Sequence, residues 1–115
     1  MEMTKAGRLR RHVDAELEAA RLAESDEDAF RHLERAHVLG QRSTRDHVRV
    51  HRAMLIWARR RGDRREVAGQ VIRIAGAATK TAIGLVPEGN TGGSNVSAIR
   101  PMPIPEDLQR ILDNP

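Results

Sequence analysis

The chain has 115 residues, no cysteine, and 20 basic against 16 acidic residues, a net charge of +4. That length predicts one domain with one modest core. The missing cysteines exclude disulfides and thiolate metal ligands, and no apolar run approaches the ~18 residues that a membrane span needs.

The N-terminal stretch Met1 to Arg11 is polar and lacks the apolar centre of a signal peptide, so a cytoplasmic protein is expected. Trp57 and Phe30 are the only aromatic residues. The core must therefore come from Leu, Ile, Val, Ala and Met, which suits helices.

Thr4 to Ala23 reads as a first helix, with Thr4 as its N-cap and Leu9, Val13, Leu17 and Ala20 at helical spacing. Ser25 can cap a second helix that runs to about Leu39, with Phe30 and Leu33 inward and Gly40 as its stop. Ser43 or Thr44 opens a third, in which Val48, Met54, Leu55 and Ala58 form the apolar face and Gly62 ends the run. Arg59, Arg60 and Arg61 lie in its last turn, where cations oppose the negative helix end. Asp63 can cap a fourth helix that fades near Gly84, with Val67, Ala68, Val71, Ile74, Ala75 and Ala78 on one face.

After Gly84 the chemistry changes. Pro87-Glu-Gly-Asn-Thr-Gly-Gly93 is loop sequence. Pro101, Pro103 and Pro105 alternate with Met102 and Ile104, an extended strip with apolar teeth. Glu106 to Leu112 then reads as a short helix with Pro105 at its start. The expected architecture is all-α: an antiparallel up-down four-helix bundle over residues 1–84, and a strap over 85–115 with an extended tail and a short terminal helix.

Short turns make neighbouring helices antiparallel, so depth can be counted from each turn at about 1.5 Å per residue. His37 is three residues before Gly40 and His47 three after Thr44; Glu34 and His51 fall about one turn deeper. Glu34/His37 and His47/His51 each share a helix face. On the first helix His12 and Glu16 fall at matching depths, though as a weaker pair. Gln70 is the nearest polar candidate on the fourth helix, at the edge of its apolar face. Buried imidazoles and carboxylates cost free energy unless paired, and a cation offsets that cost by coordinating several at once. The expected ligands are therefore His12, Glu16, Glu34, His37, His47 and His51. They would hold one or two transition-metal ions, and a nitrogen-rich set suits zinc, copper, nickel or iron.

Three rival readings stand beside this one. The same residues could form a metal-free hydrogen-bonded network. The site could belong to an enzyme that activates oxygen or water. Nine arginines between Arg42 and Arg65 could bind nucleic acid, but acidic residues offset most of the charge and a solvated face is the simpler account. Ile56 falls opposite the His47/His51 face, open to cover by the tail or to a homodimer contact.

Glu34-Arg-Ala-His-Val-Leu-Gly-Gln41 and His47-Val-Arg-Val-His51, with Gly89-Asn-Thr-Gly-Gly93 and Pro101-Met-Pro-Ile-Pro105, resemble a family of small bacterial proteins classed as a domain of unknown function. The resemblance covers nearly the whole chain. It implies a genomic setting near heavy-metal resistance genes for some members, which supports metal handling or resistance and specifies no reaction or catalytic residue.

Overall fold

The computed structural model describes residues 3–82, 87–96 and 100–115, with the side chains of 78–82 left aside. Among the described residues the chain is all-α, with five helices: α1 (Lys5–Leu22), α2 (Asp26–Gly40), α3 (Thr44–Arg61), α4 (Arg64–Ala82) and α5 (Glu106–Asp113). No described helix is long and apolar enough to cross a membrane.

Local chemistry sets the boundaries. Thr4 Oγ1 accepts from Gly7 N, Ser25 Oγ from Asp28 N, and Ser43 Oγ from Asp46 N, so three helices open on a side-chain cap. Asp63 Oδ1 accepts from Glu66 N at 3.0 Å and does the same for α4. Gly62 closes α3 at φ 73°, a left-handed conformation that costs a glycine nothing.

Packing is mainly α1 on α2, α3 on α4 and α2 on α3, with α5 laid against α2. The core joins Val13, Leu33, Ala36, Val38, Leu39, Val50 and Met54 to Leu108 of α5. Ile104, Ile111 and Leu112 pack on the same cluster. Arg35 Nη2 donates to Asp107 at 2.6 Å, tying α5 to α2 by charge as well.

Two features depart from the expected pattern. First, the opening turn of α3 carries a buried charge that apolar patterning does not announce: the Asp46 side chain is 2% exposed and ion-paired to Arg10 at 3.1 Å and Arg49 at 2.8 Å, which pins α1 to α3. Second, α4 departs from its apolar stripe. Ala68, Val71 and Ala75 are exposed, as is Ile72, while Glu66, Gln70 and Ala77 are buried. Val67 and Ile74 of the expected face are half-buried, so α4 is turned partly off that stripe, with the polar Glu66 and Gln70 on the inner side. The expected face member Ala78 lies among side chains that are not described.

Candidate metal centre

The turn between α2 and α3 spans Gln41 to Ser43, so the C-terminal turn of α2 lies beside the N-terminal turns of α3. His37, His47 and His51 meet there, each buried, with one ring nitrogen of each within 4.8 Å of the other two. His37 Nε2 lies 3.1 Å from His47 Nε2 and 3.2 Å from His51 Nε2. Two nitrogens that each sit about 2.0–2.1 Å from a tetrahedral zinc ion are themselves about 3.3 Å apart. His37 thus stands close to ligand spacing from each of the other two, and all three nitrogens lie within 4.8 Å of one another.

The outer partners decide which ring atoms carry protons. His37 Nδ1 donates to the Asn90 carbonyl oxygen at 2.6 Å. His51 Nδ1 donates to Gln70 Oε1 at 2.6 Å. The Gln70 amide cannot be reversed, because its Nε2 donates to Glu66 Oε1 at 2.8 Å and to Gly92 O at 3.0 Å. With both Nδ1 atoms protonated, neutral His37 and His51 turn lone pairs toward each other across 3.2 Å. A shared proton is the poor solution: burial, then the charges of His51 and His47, hold the His37 imidazole well below the usual histidine range, with the Asn90 bond opposing. Three buried histidines so placed could hold a metal ion, and hydrogen bonds that fix the far nitrogen are common among metal-binding histidines.

The loop over the site is shaped for His37. Gly92 has φ 84°, and a Cβ there would lie 2.6 Å from His37 Cγ, so only glycine lets the backbone rest on the ring. Asn90 holds that turn, accepting from Gly92 N at 2.9 Å and donating to Arg100 O at 2.7 Å. Glu66 receives Ser94 through both its amide and its hydroxyl, which fastens the following residues to α4.

The other expected ligands lie elsewhere. Glu34 faces a cleft with Arg31, Thr91, Pro103 and Leu108, under the tail. Burial pushes its carboxyl above the usual range, and nearby Glu66 adds to this, while the Thr91 hydroxyl opposes it. Glu16 accepts from Arg35 Nε at 2.9 Å and lies 2.7 Å from His32 Nδ1. His12 Nε2 sits 3.3 Å from Pro115 O. Helix rotation accounts for this. Three residues turn a helix about 60° short of a full circle and four about 40° past it, so Glu34 and His37 diverge to opposite sides of one stripe. Val13, 0% exposed, is the residue α1 aims at the core, which leaves His12 and Glu16 at the α2 and α5 edges.

Sequence reasoning reached Gln70 only as an edge candidate, and it missed Asn90 and Arg73. Gly89-Asn-Thr-Gly-Gly93 was the available signal, since closely spaced glycines mark close backbone approach. Arg73 lines a cavity of about 20 Å³ beside the three histidines. Its Nη2 donates to Val96 O at 2.6 Å, while its Nε is sealed from solvent with no acceptor among the described residues. An orphaned donor of this kind costs about 1–3 kcal/mol, which asks for an explanation. Within the basic stretch from Arg42 to Arg65, Arg42, Arg49 and Arg61 are ion-paired with Glu88, Asp14 and Asp46, and Glu27.

A family model described as "Protein of unknown function (DUF3703)" matches residues 7–112, and the chain belongs to that family. No curated protein and no solved structure matches the chain.

Proposed function

We propose that this family member binds one divalent transition-metal ion through His37, His47 and His51 and serves in metal handling. The observation that carries the reading is the opposition of His37 Nε2 to two further imidazole nitrogens at 3.1 and 3.2 Å, with the far nitrogens of His37 and His51 engaged by Asn90 and Gln70. Nitrogen donors suit zinc, copper, nickel or iron. Zinc ranks first, because three histidines with one position left over is a common arrangement for it. An antiparallel up-down course of α1 to α4, favoured by the short turns, supplies the register that puts His37 opposite α3. Glu34, His12 and Glu16 stay outside this ligand set.

Elemental analysis of protein purified without a metal-affinity tag, followed by calorimetric titration of metal-free protein, tests the reading. One equivalent of metal is expected. No uptake of zinc, copper, nickel or iron would leave the histidines as a metal-free polar network. One observation favours a second reading, an enzyme that activates water on the same ion: the cavity next to the histidines. That reading fails if the cobalt form carries no exchangeable water by proton relaxation.

A further inference from the structure

Metal binding by the histidines gives no role to Arg73. Its guanidinium is held beside them by Val96 O, and among the described residues its buried Nε has no acceptor. Burial pushes its pKa below the usual arginine value, with Glu66 opposing, yet a guanidinium keeps its charge in a protein. A fixed positive charge next to a bare cation site is a liability, because the two repel in a medium less screening than water. It becomes useful when an anion lies between them. The space for one is present. Arg73, Ala77, Pro87, Asn90 and Gly92 join the three histidines around about 20 Å³, more than the roughly 10–15 Å³ that one water needs. Among the described residues no carboxylate lines that cavity.

Resting on the metal reading above, we propose that the ion's remaining coordination position opens into this cavity and takes a small monoanion, hydroxide or a rod-shaped triatomic such as azide, whose charge Arg73 offsets. The Arg73 guanidinium at the cavity wall supplies the positive charge, so selection is for charge and for size. Ala77 and Gly92 are the small walls that leave the room. A bulky anion such as benzoate has no place there.

Cobalt(II)-loaded protein tests this, with azide as the probe and the visible ligand-field bands as the signal. Azide should shift the bands with saturation, and benzoate should not. Arg73→Met should keep the cobalt bands and weaken azide by about tenfold or more, the scale of one charge-assisted hydrogen bond. Arg73→Lys should fall between the two. Ala77→Val, which fills the cavity without touching the charge, should keep cobalt and lose the azide response. If Arg73→Met loses its helical signal, the Lys and Val variants carry the decision. An unshifted spectrum with azide, or undiminished azide affinity in the folded variants, overturns the anion site and leaves metal binding standing. Absence of the cobalt bands themselves overturns both.

Discussion

Replacing His47 and His51 together by Ala removes two of the three imidazoles and leaves the packing face of α3 in place. Val50, Met54 and Ala58, each 0% exposed, still close the core on that helix. Ala is also the best helix former, so the double variant should fold with the wild-type helical signal. Metal that binds the folded chain alone stabilises it by about 2.7 kcal/mol at a hundredfold excess over the dissociation constant. Unfolding entropy near 2.1 cal/mol/K per residue makes each kcal/mol worth about 4 °C in a chain of 115 residues, so the wild-type melting temperature should rise by about 11 °C. Circular dichroism melts with and without zinc, at a pH where free histidine is neutral, read both proteins. The variant should melt at the same temperature either way. An undiminished rise in the folded double variant refutes the site and places the metal elsewhere in the chain.

Four further outcomes follow from the same geometry. Burial holds His37 neutral, so below about pH 6.5 the unfolded chain takes up a proton that the folded chain refuses. Metal-free stability should therefore fall as pH drops through that range, by up to about 1.4 kcal/mol per pH unit for this group; urea midpoints that do not fall between pH 7 and 5 refute the assignment. Glu34→Gln should leave zinc affinity unchanged by calorimetry, because the carboxyl faces the tail cleft; a large loss would restore it as a ligand. Asp46→Asn should cost about 2 kcal/mol in urea unfolding, less than the 3–5 for a fully buried pair, since Arg10 and Arg49 are 32% and 34% exposed and can rehydrate. Gly92→Ala should cost about 1–3 kcal/mol through its left-handed backbone and should weaken zinc as well by displacing the His37 ring; unchanged zinc affinity would separate the loop from the site.

The helices were legible because their signals are local. Thr4, Ser25, Ser43 and Asp63 each announce a start within three residues of the amide they cap. The meeting of His37 with His47 and His51 was legible for a related reason: ten and fourteen residues apart across one short turn, they can be registered by counting. Counting fixes depth and leaves rotation about the helix axis open. Rotation is what sends Glu34 toward the tail, His12 toward the C-terminal residue after α5 and Glu16 toward α2. The partners of the histidines were beyond reach in a further way. Asn90 is 53 residues from His37, and its carbonyl is a backbone atom that no side-chain pattern advertises. Gln70 could be placed only once the inward face of α4 was known, and the apolar periodicity of that helix pointed elsewhere.

That rotated helix is the strongest physical argument that the bundle does more than fold. Val71 and Ile72 stand 54% and 73% exposed while Gln70, between Gly69 and Val71 in sequence, is 0% exposed. Burying a large aliphatic side chain is worth about 1.5–3 kcal/mol, so hydrophobicity alone would turn α4 the other way. What opposes it is the hydrogen-bonded chain from Ser94 through Glu66 and Gln70 to His51, in which the Gln70 amide donates twice and accepts once. A network of that kind specifies one rotation, because any other leaves several buried polar groups without partners. It resolves every demand of Gln70 and leaves two at its inner end. The His47 and His51 Nε2 atoms both crowd His37 Nε2, at 3.1 and 3.2 Å, and among the described residues the buried Nε of Arg73, which lines the cavity beside them, has no acceptor. The site we propose, one metal ion carrying one small negative ligand, would set a cation among the imidazoles and an anion beside the guanidinium.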